Sequence, residues 1–250
     1  MTGAATPPID YGSRLRAGVL VPSGNSVAEP EIRAMLPPEV SMLVTRLALR
    51  GSSKPELMRM LDRLETATGL LADAEVDVIV FHCTAVSTFA PELAGGIRER
   101  IQSASGIKCF TTADAIIEAL RCLNATRVSL LTPYIDEVHE REIAFLEANG
   151  FCVDGSACLG INTNTEMAEL SPDTILQWAE RRVSPRADAC LISCTAIKSA
   201  PVIAELERAS GLPVLTSNQC MAWHLLRSNG IDSDARGYGR LFSIGARDGK

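Results

Sequence analysis

The chain has 250 residues, of which 46% are apolar and 22% are charged, so it can bury a sizeable core as one large domain or as two small ones. Its formal net charge of −6 provides no basic surface for nucleic acid. No apolar run reaches the ~18–20 residues that a membrane-spanning helix needs.

The first half of the sequence alternates short apolar runs with segments of helical spacing. Residues 1–13 come first, lack the layout of a secretory signal and predict a short disordered lead. Strands are then predicted at 17–22, 40–49, 76–81 and 106–110, and helices at 28–35, 55–74, 91–103 and 112–123. This alternation predicts βαβ units and a parallel sheet whose strands are buried on both faces.

The second half repeats the same order of elements. Strands are predicted at 127–132, 151–159, 187–192 and 211–215, helices at 137–149, 172–183, 201–209 and 218–228, and a loop at 160–164. Each half has one Cys-Thr-Ala segment after its third strand. A helix with a proline near its start, Pro91 or Pro201, is predicted to follow each segment.

Two pairs of residues share one separation along the chain. The step from Cys83 to Cys194 equals the step from Pro22 to Pro133. An internal duplication is therefore predicted, and this shared step is its repeat length. The predicted fold class is α/β, with two pseudo-symmetric lobes, each a short parallel sheet flanked by helices. The lobes are expected at 15–126 and 127–250, and the C-terminal helix could pack back on the first lobe.

The carboxyl ends of the strands identify a candidate site. In open parallel α/β sheets, ligands bind beyond these ends. Two facing lobes would bring Cys83 and Cys194, which both lie there, to opposite walls of one cleft. The backbone N–H groups of Thr84-Ala85 and Thr195-Ala196 could hold a carboxylate or an oxyanion, and are expected to lower the pKa of the thiols.

The other cysteines and the histidines show no spacing that is typical of a catalytic or metal site. The simpler interpretation of any single cysteine is packing, but the repeated Cys-Thr-Ala context argues against it for Cys83 and Cys194. The other six cysteines are expected to be free, inert thiols, and the cytoplasm is the expected compartment. His82 should point away from Cys83 and be structural. No spaced metal ligands, P-loop or G-x-G-x-x-G motif is present, so no metal or cofactor is predicted.

Taken together, these motifs resemble those of the aspartate/glutamate racemase superfamily, and within it the branch of maleate cis–trans isomerases and arylmalonate decarboxylases. The resemblance is carried by the two Cys-Thr-Ala segments and by residues 22–25, 132–136, 159–161 and 237–242. It implies two pseudo-symmetric lobes with a cofactor-independent site between them. It also implies two catalytic cysteines in racemases and isomerases but glycine at the first position in decarboxylases. This chain has both cysteines, although 132–136 and 237–242 look closer to the decarboxylases.

Substrate-binding residues are implied by the same resemblance. Asn25, Tyr134 and Asn164 fall on positions that bind the substrate carboxylates in maleate isomerases, with Asn162 as a close competitor for the last. The remaining predicted substrate contacts are Ser23, Thr84, Ala85, Thr195 and Ala196.

The predicted function is that of a cofactor-independent two-cysteine isomerase acting on a small carboxylate, most similar to maleate cis–trans isomerase. The alternatives are a racemase of an amino acid or related α-chiral acid, an arylmalonate-type decarboxylase and, outside the enzymes, a small-anion binding protein. The expected partners are a small carboxylate or dicarboxylate substrate and further copies of the chain in a homo-oligomer, with neither nucleic acid nor membrane.

Overall fold

The computed structural model describes residues 9–51, 53–89, 91–233 and 235–244, and within them the chain forms two four-stranded parallel sheets. The strands of the first sheet are β1 (Leu15–Pro22), β2 (Val40–Leu47), β3 (Val78–Phe81) and β4 (Cys109–Thr111). Those of the second are β5 (Arg127–Tyr134), β6 (Cys152–Ile161), β7 (Ala189–Ile192) and β8 (Val214–Thr216). The strand orders are β2-β1-β3-β4 and β6-β5-β7-β8. The α/β fold with two similar sheets is therefore confirmed.

Helices flank the first sheet. They are α1 (Ala28–Met35), α2 (Lys54–Met60), α3 (Leu64–Ala72), α4 (Thr84–Ser87), α5 (Pro91–Ser105) and α6 (Thr112–Cys122). The single helix predicted over 55–74 is wrong, because a 3-10 turn at Leu61–Arg63 separates α2 from α3. The carbonyl of Leu61 accepts a hydrogen bond of 2.7 Å from the Arg100 guanidinium, a contact from outside the helix.

The helices of the second half are α7 (Asp136–Ala148), α8 (Asn164–Glu169), α9 (Pro172–Glu180), α10 (Ile203–Ser210) and α11 (Ser217–Ser228). α8 begins where a loop was predicted, and Thr163 and Glu166 form a capping box at its start. The helix predicted over 201–209 is present as α10, although a 3-10 turn at Ala200–Val202 precedes it. Cys194 itself is followed by a turn, whereas the segment after Cys83 enters the single-turn helix α4 directly.

The two sheets repeat hydrogen bonds at the predicted repeat length. The repeated backbone pairs, each with an N···O distance of 2.8 Å, are His82–Leu20 with Ser193–Leu131, and Asp77–Arg16 with Asp188–Arg127. Cys83 and Cys194 each lie two residues beyond the last residue of β3 or β7. The repetition of both topology and hydrogen bonds supports the predicted duplication.

The core continues from one half to the other. α11 packs against α1 and α6, and Ile32, Ile116 and Leu225 belong to one buried apolar cluster. The two sheets are therefore held together by a shared core, and the division into lobes at 15–126 and 127–250 stays a prediction. Most of the predicted disordered lead falls on residues 1–8, outside the described residues, whereas Asp10 holds the following residues in a turn. No helix in the described part of the chain has the length and hydropathy to cross a bilayer.

Candidate active site

Both cysteines of the repeated segments line one cavity at the carboxyl ends of the two sheets. Its volume is small, about 10 Å³, so its walls lie close together in this structure. The predicted site residues among its lining are Cys83, Thr84, Ala85, Tyr134, Asn164, Cys194 and Thr195. Cys83 is 4% exposed and Cys194 is 2% exposed. The folding of the chain therefore brings together two thiols from distant segments, one in each half, in a space largely closed to solvent.

Cys83 directly precedes α4, and the Ser87 N–H donates to its carbonyl at 3.0 Å. Burial raises the pKa of its thiol to about 12, with a further small increase from the nearby Cys194, while a hydrogen bond from the Val86 N–H acts in the opposite direction. The expectation of a lowered pKa is thus wrong for Cys83. The Val86 N–H does lower the pKa of the Cys83 thiol, but burial raises it by more than the single helical turn of α4 can offset.

Cys194 has more polar neighbours than Cys83. The Ala196 N–H donates to its sulfur at 3.2 Å, and the Tyr134 hydroxyl forms a hydrogen bond with the same sulfur. Burial nevertheless raises the pKa of the Cys194 thiol to about 12, and the buried carboxyls of Glu142 and Glu31 act in the same direction. Burial therefore favours the protonated form of both thiols.

Tyr134 and Asn164 bring two further polar groups to the cavity. Burial raises the pKa of the Tyr134 phenol well above its ordinary value, so this hydroxyl stays protonated and can donate. The Asn164 Nδ2 is buried without a hydrogen-bond partner in the described part of the chain. Asn162 is exposed and does not line the cavity. The geometry therefore favours Asn164 over Asn162 as the side chain that meets a ligand.

Asn25 links the first half to the second cysteine segment. It is 1% exposed, and its Nδ2 donates to the carbonyl and to the hydroxyl of Thr195, both at 3.0 Å. Its Oδ1 accepts from the N–H groups of Val27 and Ala28 at the start of α1. In this structure Asn25 holds Thr195 in place and does not line the cavity. A direct contact between Asn25 and substrate stays a prediction.

Ser23 and Ala196 also lie outside the cavity lining. The Ser23 hydroxyl accepts from the Leu49 N–H at 3.1 Å, and so holds the segment that follows β2. Leu49 itself lines the cavity. Ser23 therefore supports the wall of the site, and Ala196 reaches the Cys194 sulfur through its backbone.

Sequence reasoning missed the apolar wall. Pro22, Leu49, Gly51, Leu57 and Met167 complete the lining. The segments that carry Gly51 and Thr163 meet as an antiparallel bridge, and Gly51 and Asn164 from these segments line the cavity. Only folding brings these segments together, and the capping box at Thr163 was the one local signal for α8.

A buried hydroxyl also went unrecognised. Ser217, the first residue of α11, accepts from the Thr84 hydroxyl at 2.9 Å and from the Cys194 N–H at 3.1 Å. It therefore joins the two Cys-Thr-Ala segments. The signal was available, because Ser217 directly follows β8, and the rule that sites lie at the carboxyl ends of strands applies there as well.

His82 faces away from the thiols, as predicted. Its ring nitrogens lie 2.8 Å from Asn218 Oδ1 and 3.0 Å from Thr112 Oγ1. Burial lowers the pKa of His82 to about 4, so the ring is neutral. Within the residues that the structure describes, no group of three or more His, Cys, Asp or Glu side chains is arranged to hold a metal ion.

Comparisons with known proteins extend along almost the whole chain. The family model for arylmalonate decarboxylase matches residues 17–242. The maleate isomerase of Nocardia farcinica is 32% identical over 90% of this chain and 94% of its own length. The arylmalonate decarboxylase of Bordetella bronchiseptica is 30% identical over 97% of this chain and 99% of its own length.

A solved structure shares the fold. It is a cysteine-to-serine mutant of the Nocardia farcinica maleate cis–trans isomerase with a covalently bound succinylcysteine intermediate. The TM-score is 0.86 at 29% identity, over 91% of this chain and 98% of that one. A cysteine of that relative therefore bonds covalently to a four-carbon dicarboxylate.

Proposed function

The chain belongs to the arylmalonate decarboxylase family, and from that premise we propose that it is a cofactor-independent isomerase that converts maleate, or a similar cis-dicarboxylate, into the trans isomer. The observation that carries the proposal is that Cys83 and Cys194 line the same closed cavity. Two thiols are what a maleate isomerase needs, whereas a decarboxylase of this family needs one.

Hydrogen-bond donors around the cavity fit the two carboxylates of such a substrate. Asn164 Nδ2 has no acceptor in the described part of the chain, and the Tyr134 hydroxyl is protonated. The N–H groups of Thr84 and Ala85 are the first two of α4 and have no acceptor within that helix. Because Thr195 Oγ1 accepts from Asn25, its own O–H remains able to donate.

The proposed reaction uses one thiol as nucleophile and the other as acid. The Cys83 sulfur forms a bond to C2 of maleate, and the π electrons move to C3, which takes the proton of the Cys194 thiol. The Cys83 proton passes to the Cys194 sulfur, so that one S–H is added across the double bond. Rotation about the resulting C2–C3 single bond and reversal of these steps release fumarate.

Protonated thiols at Cys83 and Cys194 fit this sequence of steps. Net addition of S–H needs two neutral thiols, and burial gives both a pKa of about 12. The carbanionic carbon at C3 is flanked by a carboxylate that the cavity donors hold, which stabilises charge as it develops. The Nocardia farcinica succinylcysteine intermediate is an adduct of this kind.

Arylmalonate-type decarboxylation is the second candidate. Leu49, Leu57 and Met167 form an apolar wall that would suit an aryl group or a departing carboxylate, and the Bordetella bronchiseptica relative is a decarboxylase. That reaction would need only Cys194, to protonate the enediolate after CO₂ leaves. Decarboxylation would leave the second thiol in the cavity without a role, so it is placed below isomerisation.

Cellular context is part of the same proposal. All eight cysteines are free thiols in the structure, which favours a reducing compartment such as the cytoplasm. Assembly into a homo-oligomer stays a prediction.

The direct test is an NMR screen of the purified protein in D₂O. Maleate, aspartate, glutamate, hydantoins and aryl- or alkylmalonates would be offered separately. We expect conversion of maleate into fumarate. Loss of CO₂ from a malonate, or α-deuteration of an amino acid, without any isomerisation of maleate would replace the proposal with decarboxylation or racemisation.

A further inference from the structure

Two buried glutamates obey the same repeat as the two cysteines. Glu31 lies on α1 and Glu142 on α7, the first helix of each half, and the step between them equals the repeat length. Glu31 is 9% exposed and Glu142 is 1% exposed. Carboxyl groups are rarely buried without a partner or a role, so their equivalent placement behind one cavity calls for a physical explanation.

Glu142 lies directly behind the second cysteine. One oxygen of its carboxyl accepts from the hydroxyl of Ser193, which immediately precedes Cys194. Its other oxygen is buried without a hydrogen-bond partner in the described part of the chain. Ser193 also lies 3.5 Å from Ser217 Oγ, which accepts from the Cys194 N–H. Glu142 therefore anchors the backbone turn that presents the Cys194 thiol.

Glu31 reaches the first cysteine segment through Asn218 and His82, and its direct hydrogen-bond partners lie in the second half. Its Oε2 accepts from Asn218 Nδ2 at 2.7 Å, and Asn218 Oδ1 lies 2.8 Å from the His82 ring, immediately before Cys83. Its Oε1 accepts from the Ala200 N–H at 2.9 Å. His82 and Ser193 are themselves separated by the repeat length. Each glutamate thus supports the residue that precedes one cysteine.

The two glutamates affect the pKa values of Cys194 and Cys83 unequally. Burial raises the pKa of both carboxyls to about 7. The titratable groups that face Glu142 are Tyr134 and Cys194, and those that face Glu31 are Cys194 and, across Asn218, His82. The negative charge of either glutamate raises the pKa of Cys194, whereas the causes that raise the pKa of Cys83 include neither.

We propose that Glu31 and Glu142 are a duplicated pair of positioning residues that fix the two Cys-Thr-Ala segments, Glu142 through Ser193 and Glu31 through Asn218. Their importance for turnover rests on the proposed function, in which Cys194 is the acid. Their effect on the thiols does not, because it can be measured without any substrate.

The test is the rate of alkylation by iodoacetamide at each cysteine, resolved by peptide mass spectrometry. Glu142→Gln removes the charge and nearly conserves the shape, and the exposed Cys152 provides an internal reference. Well above pH 7 we expect alkylation of Cys194 to be about 3- to 10-fold faster than in the parent, since a pKa lowered by one unit raises the thiolate fraction about tenfold. Well below pH 7, where Glu142 is already neutral, parent and variant should react alike. Cys83 should not change at either pH.

A third buried glutamate supplies the matched control. Glu207 accepts from the N–H groups of Val214 and Arg240, both at 3.1 Å, and is not among the charges that act on either thiol. Glu207→Gln should leave the reactivity of Cys194 unchanged. Glu31→Gln is the second variant, and it should give a smaller change that is again confined to Cys194.

The outcomes separate this inference from the proposed function. Equal changes at both cysteines, no change at Cys194 in folded variants, or the same change in Glu207→Gln would overturn the positioning pair. If the parent does not isomerise maleate while Glu142→Gln still alters Cys194 alone, the proposed function fails and the pair stands. If the parent is active, Glu142→Gln should lower kcat for maleate and leave KM nearly unchanged.

Discussion

At the scale of single residues, the site depends on donors that the protein itself leaves unused. Asn164 Nδ2 is buried at the cavity without an acceptor in the described part of the chain. A buried donor without a partner costs about 1–3 kcal/mol. A site that binds a carboxylate explains the cost, because the ligand supplies the acceptor.

Substitution of Asn164 should therefore separate activity from stability. We expect Asn164→Ala to lower kcat/KM for maleate about 10- to 100-fold, because a donor to a charged group is lost. The melting temperature should stay the same or rise, because an unpaired buried donor is removed. Steady-state kinetics and thermal unfolding check the two parts, with the exposed Asn162→Ala as the matched control. A larger loss of activity in Asn162→Ala would show that the wrong asparagine has been assigned.

Tyr134 contributes a hydroxyl to Cys194 and to the cavity. Tyr134→Phe keeps the ring but removes this donor, so we expect kcat/KM for a dicarboxylate to fall roughly 10- to 100-fold. Tyr11, which is 78% exposed, provides the control variant Tyr11→Phe. Kinetics at saturating and limiting maleate would measure the effect. Unchanged kcat/KM in Tyr134→Phe would place the phenol outside the reacting site.

Glu142 predicts a pH dependence of stability. Burial raises its pKa from 4.5 to about 7, so the folded state binds this proton more tightly than the unfolded state. The stability that the neutral carboxyl contributes is present below about pH 4.5 and is lost as the pH rises through about 7, with a magnitude on the order of 2–3 kcal/mol.

Glu142→Gln cannot ionise and should lack that loss. Urea unfolding at about pH 5 and about pH 8 should show a smaller drop in the free energy of unfolding for the variant than for the parent. Glu118→Gln, in a surface ion pair on α6, should follow the parent. Parallel curves of unfolding free energy against pH for the parent and Glu142→Gln would show that the pKa of Glu142 is the same in the folded and unfolded states.

Single residues were predictable where a local pattern repeats. The Cys-Thr-Ala segments identified Cys83 and Cys194 because both copies keep the same three letters at equivalent strand ends. Glu31 and Glu142 obey the same step, but a glutamate on a helix is ordinarily exposed, so burial had to be seen. The contact between Asn25 and Thr195 joins distant parts of the sequence and depends on how the halves pack.

At the scale of elements, α8 is the short helix that brings Asn164 and Met167 to the cavity. Its start is fixed by Thr163, whose hydroxyl accepts from the Glu166 N–H at 3.3 Å while the Glu166 carboxylate accepts from the Thr163 N–H and O–H. A helix this short has little stability of its own. The cap therefore determines where Asn164 lies.

Removal of that cap should cost both stability and activity. We expect Thr163→Ala to lower the free energy of unfolding by about 1 kcal/mol and to lower kcat/KM as well, because Asn164 is the first residue of α8. Ser171→Ala removes the equivalent cap from α9, where Ser171 accepts from the Thr174 N–H at 3.1 Å, outside the cavity. Denaturant unfolding and kinetics on both variants check this. An equal loss of activity in Ser171→Ala would remove any special role for α8.

The elements that sequence reasoning misplaced owe their form to tertiary contacts. The apolar spacing of 55–74 is continuous, so only the contact between Leu61 and Arg100 marks the break between α2 and α3. After Cys194, Asn25 and Asn218 both donate to the Thr195 carbonyl, and this segment forms a turn where the equivalent segment after Cys83 forms α4. These interactions come from distant parts of the chain, and local propensity does not encode them.

At the scale of the whole molecule, the predicted duplication would explain why the candidate active site lies between two similar sheets. Each half contributes one thiol to the cavity and one glutamate of the repeated pair, and α11 packs the second half against α1 and α6 of the first. Because equivalent strand ends face one cavity, the two copies of the Cys-Thr-Ala segment form opposite walls of it. The two thiols nevertheless have different surroundings, because Tyr134 and the buried carboxyls act on Cys194.

The most direct test of this account is mass spectrometry of the single-cysteine variants incubated with maleate. Serine cannot replace a thiolate near neutral pH, so neither Cys83→Ser nor Cys194→Ser should turn over. In Cys194→Ser the Cys83 S–H should add slowly across the double bond, and the succinyl group should stay on Cys83 because no second thiolate is present to remove the proton at C3 again. Cys83→Ser should carry none. An adduct on Cys194, or decarboxylation retained in Cys83→Gly by a protein that never isomerises maleate, would contradict the account.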